Sequence, residues 1–239
     1  MTITVLPIAT AVLAGILAAR IAGSAMRRFA PQKPFWAAGL VLYGVAAGAE
    51  AYGSGLVWSA GWFRVYYLAG GCLTVAFLGT GSAWLGLPRP WASFVSGALA
   101  VTVVGALVTV ALADVDHGIL ARTAHGHPPD SAAIAGSATA WAVACNTAGT
   151  LLLVGVSVAS LLRRRRTRAN VGILTGVAFV AGAETLARFG SYGLVYLGQM
   201  LGIVLLAVGF ELGTLRLRRR EAPEPRPTDL GSAIFGPRS

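Results

Sequence analysis

Seven long apolar stretches separated by short hydrophilic connectors run through this chain, and they constrain its fold more than any other feature. They lie at about 4–24, 35–54, 65–86, 92–113, 138–161, 171–189 and 193–214. Each is close to the roughly 20 residues that an α-helix needs to cross the hydrocarbon core. In lipid every backbone polar group must be satisfied within its own segment, so the expected fold is all-α: an integral membrane bundle of seven transmembrane helices. Composition agrees, because a chain with 56% hydrophobic and 12% charged residues has too little polar surface to cover a water-soluble domain. Residues 1–220 are therefore expected to form one transmembrane domain. The remainder, 221–239, reads EAPEPRPTDLGSAIFGPRS. Rich in Pro and charge, it buries too little apolar area to offset ordering entropy and is expected to be a disordered cytoplasmic tail.

The net charge of +10 comes from clusters at the ends of the stretches, with Lys33 the only lysine. Arg27, Arg28, Lys33, Arg89, Arg163 to Arg166, Arg168, Arg216 and Arg218 to Arg220 fall on one side of the expected membrane. The other side has Arg64, Arg122 and Arg188. Basic residues of short loops are retained on the cytoplasmic side, so the N-terminus is expected outside and the C-terminus inside. Insertion thus accounts for the basicity, and nucleic acid is not an expected partner; the lipid bilayer is. The first stretch lacks a basic n-region and is expected to remain as a span rather than to be cleaved.

The chain also contains an internal match. AAGAEAYG around Glu50 resembles VAGAETLA around Glu184, displaced by 134 residues and lying in the second and sixth stretches. Each Glu sits fourteen residues into its stretch, counted from Trp36 and Asn170, which places it about 21 Å from the inner boundary. Tyr67-Leu68 aligns loosely with Tyr196-Leu197, and basic clusters follow the first and fifth stretches. The implied plan is a parallel repeat of three spans, one linker span and three spans. Only Glu50, Glu184 and Glu211 of the nine acidic residues fall within stretches, and two of them are the aligned pair.

In layout this plan is similar to the SWEET and PQ-loop transporters, whose resemblance implies a site between the repeats near the bilayer midplane. The likeness is architectural: Pro31-Gln32 lies in the connector after the first span, and the second unit has no matching pair. Over roughly the first ninety residues, Phe63-Arg64-Val65-Tyr66-Tyr67-Leu68 followed by Leu78-Gly79-Thr80-Gly81-Ser82 resembles uncharacterised multipass proteins of bacteria with GC-rich genomes. That resemblance implies a bacterial inner-membrane location and supplies no activity.

A charge at mid-bilayer costs roughly 2.5–3.5 kcal/mol on insertion scales, so Glu50 and Glu184 should face the bundle interior and find partners. Glu184 and Arg188 are spaced i, i+4 on one helix, and Arg64 follows the loop after Glu50. One Glu–Arg pair per unit is expected, and Glu50, Arg64, Glu184 and Arg188 are the candidate solute-binding or ion-coupling residues. Glu211 should be neutralised near the cytoplasmic surface by Arg216. Asn146, Thr147 and Gln199 are expected to bond between helices, while Tyr66, Tyr67, Tyr192, Trp58 and Trp62 read as an interfacial aromatic belt.

The outer loop 114–135 holds all three histidines, His117, His125 and His127, beside Asp114, Asp116 and Asp130. These are weak candidates for a metal, because their spacing matches no closed zinc pattern and HExxH is absent. Cys72 and Cys145 fall within stretches and read as small buried apolar residues. A retinal protein is excluded because no lysine lies in the last span, membrane haem ligation because no histidine lies in any stretch, and ATP-driven pumping because no P-loop is present. No cofactor and no catalytic residue are expected. The functional expectation is a transporter of a small solute or proton through a cavity between two three-helix units. The alternative is a non-transporting sensor or assembly partner whose Arg-rich face meets a cytoplasmic protein or anionic lipid; an intramembrane enzyme is third.

Overall fold

On several helices small residues point inward and large ones outward, the reverse of a water-soluble core. In the computed structural model, which describes residues 2–27, 29–123, 128–164, 167–187 and 192–221, Ala92, Leu99 and Ala106 form a buried stripe at seven-residue spacing on one helix. Ala138, Ala142, Cys145, Gly149 and Leu153 form another. Val5, Ile8, Val12 and Ile16 instead stand at least half exposed along one face, as do Val101, Val104 and Leu112. Lipid tails are as apolar as these side chains, so helices gain from close backbone approach rather than from hiding large residues.

The element order is α1 Thr2–Arg27, α2 Gln32–Gly55, α3 Ala60–Gly86, α4 Arg89–Leu112, the single-turn α5 His117–Arg122, α6 Gly136–Leu162, α7 Thr167–Ala187 and α8 Tyr192–Glu221. Among the described residues the only β-pairing is the bridge between Val115 and Ile134. Five helices are long and apolar enough to cross a membrane: α1 over Val5–Arg27, α3, α4, α6, and α8 over Leu194–Leu212. The sequence led us to expect seven. The other two, α2 and α7, have 24 and 21 residues and so the necessary length, but Lys33, Glu50 and repeated Gly dilute the apolarity of α2. The expected tail beyond Glu221 lies outside the described residues.

Six helices close into a ring, α1–α2–α3–α6–α7–α8 and back to α1, and α4 packs outside it on α3 and α6. Two crossings in the ring are backbone to backbone. A β-carbon at Gly79 of α3 would lie 2.5 Å from the Gly149 carbonyl oxygen, and one at Gly149 would lie 2.5 Å from that of Val75. On the opposite side, a β-carbon at Gly176 of α7 would lie 2.7 Å from the Gly202 carbonyl oxygen of α8. Only glycine permits such approaches.

Midway along α3 the helix widens: Tyr67–Leu73 is π-helical between the α-helical segments Ala60–Tyr66 and Thr74–Gly86. The loop from α4 to α6 is folded rather than open. The Asp116 amide donates to the Ala133 carbonyl at 2.9 Å, and the Ala135 amide to that of Asp114 at 3.0 Å. Leu120, Ala133 and Ile134 then join Phe63, Leu73 and Val110 in an apolar cluster at this end. We call it the loop end, and the opposite one, with Arg27, Arg89 and Arg163, the basic end. Cys72 and Cys145 share that cluster as free, buried thiols, the small-apolar role read from the sequence.

Candidate functional site

A cavity of about 510 Å³ lies inside the helix ring, with walls from α2, α3, α6, α7 and α8 and with Pro129 and Ser131 of the loop at its mouth. Its volume is in the range of small-molecule sites. Glu50 is its carboxylate, 8% exposed, and the Tyr196 hydroxyl of α8 donates to Glu50 Oε1 at 2.7 Å. This bond joins residues 146 apart in sequence and ties the second helix to the last. A buried carboxylate needs donors in place of lost water, and a phenol on a facing helix supplies one without bringing a second charge.

The π-helical segment shapes the facing wall. Tyr66, Tyr67, Gly70, Gly71 and Thr74 all line the cavity. Two side chains add hydrogen bonds to backbone carbonyls of the wide turn: Thr74 Oγ1 donates to the Ala69 carbonyl at 2.8 Å, alongside the Thr74 amide, and Asn146 Nδ2 on α6 donates to that of Gly71. Asn146 thus makes the interhelical bond expected of it while also lining the cavity. Wide turns of this kind recur at functional sites because they re-aim side chains at little change in helix direction. Gln199 and Thr150 complete the polar lining.

Below Glu50 the cavity ends on apolar side chains. Leu78, Leu153, Ile203 and Leu206 line its floor, and they belong to a cluster that includes Trp36, Leu40, Ile173 and Phe210. Trp36 of α2 stacks on Phe210 of α8, with ring centroids 4.2 Å apart and planes inclined by 12°. The loop-end boundary is polar by comparison: Asp130 receives the Ala132 amide at 2.8 Å and so caps the short turn carrying Ser131.

Of the residues singled out from the sequence, Glu50 is central. Arg64 is not its partner: the Arg64 guanidinium donates to the Ala113 carbonyl at the end of α4 at 2.9 Å, and Arg64 is absent from the cavity wall. A carbonyl at a helix C-terminus carries partial negative charge and draws a cation that a carboxylate on another helix face does not reach. Glu184 has its backbone in α7, one turn beyond the cavity-lining Ala181, and its side chain lies outside the described residues, as does Arg188 altogether. Glu211 pairs with Arg20 of α1 at 3.4 Å, half exposed, where Arg216 had been expected. Of the expected aromatic belt Trp62 is exposed, whereas Trp58 is buried against Gly53 and packs edge-on to Phe63, and Tyr66 and Tyr67 line the cavity; the Tyr192 side chain lies outside the described residues.

His117 opens α5, while His125 and His127 lie outside the described residues. Among the described residues no group of three or more metal-ligating side chains is gathered. The carboxylates of this loop act in capping, Asp116 receiving the amides of Gly118 and Ile119. Sequence reasoning passed over Tyr43, although it stands two turns from Glu50 on the same helix face and lines the same cavity. The doublet Gly70-Gly71 was the only local trace of the wide turn. Comparisons of the chain with protein-family models, with curated proteins and with solved structures find no match.

Proposed function

We propose that the protein crosses a bacterial inner membrane seven times, N-terminus outside and C-terminus inside, and that it moves a small solute or proton through the central cavity with Glu50 as the coupling group. The observation that carries this reading is a buried carboxylate, held by a tyrosine from the other half of the chain, in a cavity inside the helix ring that reaches the loop end. Ionisable groups at membrane depth are kept where they act on an ion or solute. The lengths of α2 and α7 support seven spans, and the distribution of arginine supports the orientation.

Helix packing supports the parallel repeat. Exchanging α1, α2 and α3 with α6, α7 and α8 turns the α3–α6 contact into the α8–α1 contact and leaves the ring unchanged, with α4 as the outside linker. The repeat would bring Glu50 and Glu184 to corresponding places on α2 and α7. A cavity between two such units is the layout in which rocking of one unit against the other alternates access. A sensor that binds the same solute without moving it is the second reading; the apolar floor beneath the cavity suits it, because a closed floor stops passage.

Purified protein in proteoliposomes with a trapped pH indicator tests the first reading. An imposed pH gradient should dissipate faster than in protein-free vesicles, and Glu50→Gln should abolish the difference while the protein remains folded. Equal rates in all three, over a panel of small polar solutes added to the outside, would remove transport and leave the sensor.

A further inference from the structure

A second polar layer lies under the floor of the central cavity, about one helical turn inside the basic end. Gln32, Trp36 and Ser82 are 3%, 0% and 1% exposed, and among the described residues Gln32 Nε2, Trp36 Nε1 and Ser82 Oγ have no hydrogen-bond partner. Gln32 and Trp36 are one turn apart on the same face of α2, and both meet α3 at Gly81: a β-carbon there would lie 2.5 Å from Trp36 Nε1 and 3.0 Å from the Gln32 carbonyl oxygen. Ser82 is the next residue, on the α3 face that carries the cavity-lining Leu78. At the corresponding height the buried Ser157 and Asn170 lie on α6 and α7.

Two N–H donors and a hydroxyl, all buried near the same end of α2 and α3, call for hydrogen-bond partners. Polar groups in such places are satisfied by water held in the protein. The layer is a single turn from the end of α2, whose neighbour Lys33 already reaches the terminal turns of α1 by donating to the Ser24 carbonyl at 2.9 Å. Water from the basic side therefore has a short way to go. Between this layer and the cavity stand Leu40, Leu78, Leu153, Ile173, Ile203 and Leu206 with the Trp36–Phe210 stack. On α3 the separation from Leu78 to Ser82 is four residues, or about 6 Å; on α2, from Tyr43 to Trp36, it is about 10 Å.

We infer that Gln32, Trp36 and Ser82 mark a vestibule, closed in this conformation, that takes up water from the basic end, and that the thin apolar layer above it is the gate between this vestibule and the central cavity. The vestibule stands on the orphaned donors; naming the layer a gate rests on the transport reading. The gate's lining is apolar on all sides, so it closes by excluding water, and the stacked pair is its largest movable part. Parting Trp36 from Phe210 joins two polar compartments that together span most of the bundle.

Site-directed labelling tests this in the full-length protein with Cys72 and Cys145 replaced by Ala. A membrane-impermeant thiol reagent is applied from either face to Ser82→Cys and, separately, to the cavity position Thr150→Cys. Ser82→Cys should label from the basic face only and Thr150→Cys from the loop face only; adding Phe210→Ala should abolish that sidedness at both positions. If Ser82→Cys fails to fold, Gln32→Cys reads the same vestibule. A folded protein in which neither vestibule position labels from the basic face overturns the inference. Proteoliposome flux, measured on the same samples, separates the two ideas. Flux with an unlabelled vestibule puts the route elsewhere and sinks the gate alone, whereas sided labelling without flux keeps the vestibule and removes its role as a transport gate.

Discussion

Two spaces of nearly equal size in this bundle differ in almost everything else. The central cavity, about 510 Å³, lies inside the ring and gathers Glu50, Asn146, Thr150 and Gln199. A lateral groove of about 460 Å³ lies where α4 meets α3 and α6 and is walled by Phe94, Leu99, Trp141, Leu151 and Leu152, with Thr80 and Thr102 its hydroxyl-bearing side chains. Volume therefore does not mark function here. The groove arises because α4 touches its neighbours along one narrow stripe of small residues, and in a bilayer an apolar groove of this kind is solvated by lipid tails. The cavity arises because a widened turn and facing polar side chains hold the ring apart at the depth of Glu50.

The wall between the two spaces is the glycine crossing of α3 and α6, and disrupting it should have the largest effect. Gly149→Leu forces side-chain atoms into the Val75 carbonyl; overpacking costs typically 1–3 kcal/mol and more where backbone must part. We expect about 3 kcal/mol or more of lost stability in detergent unfolding, with both spaces deformed. Wild-type stability would show that the helices separate without penalty and that the wall is soft.

Removing one hydroxyl from the cavity comes next. Tyr196→Phe takes the donor from Glu50, and hydrogen bonds to charged groups contribute about 1.5–3 kcal/mol. The same measurement should show a loss in that range, and solute or proton flux should fall with it. An unchanged melting curve together with unchanged flux would mean that Glu50 has sufficient donors elsewhere and that the cavity's polarity is not organised by this bond.

Asn146→Leu probes the widened turn. It removes the hydrogen bond that Asn146 Nδ2 donates to the Gly71 carbonyl, a loss of about 0.5–1.5 kcal/mol. Hydrogen exchange at Gly71 and its neighbours should accelerate more than at the α-helical ends of α3. Uniform exchange along α3 would show that the π-helical turn does not depend on α6.

The smallest effect is expected in the groove. Thr102→Val removes a hydroxyl that faces lipid-like surroundings, and changes of this kind usually stay within about 0.5 kcal/mol. Flux and stability should match the unmodified protein. A large loss of flux would erase the distinction between the spaces and make the groove part of the site.

Much of the secondary structure was legible in advance. The stretch read at 92–113 is α4 Arg89–Leu112, and that at 138–161 is α6 Gly136–Leu162, because a long apolar run with its ends marked by Pro or by charge has few other folds open to it. The start of α2 was placed three residues late because Gln32 and Lys33 look like connector. They are helical and buried, Lys33 being held by the Ser24 carbonyl of α1, and hydropathy carries no trace of that bond. The Asp residues of the loop read as metal ligands or solvated charge. Asp116 and Asp130 each stand just before a short turn and cap it, a signal that was present in their positions.

The sequence by itself determined which segments are helical and apolar, where the basic residues collect, and that Glu50 needs a partner, since each follows from local pattern and from the free energy of moving charge out of water. Tertiary structure alone decided the partners: Tyr196 for Glu50, the Gly71 carbonyl for Asn146, the Ala113 carbonyl for Arg64. The physical reason is range. Hydropathy is summed over some twenty residues and tolerates error, whereas a hydrogen bond acts over about 3 Å and in one direction. A helix that gains one residue in a turn, as α3 does between Tyr67 and Leu73, rotates everything beyond it by about 100° relative to what precedes it, and the hydropathy of the stretch carries no sign of that change in facing.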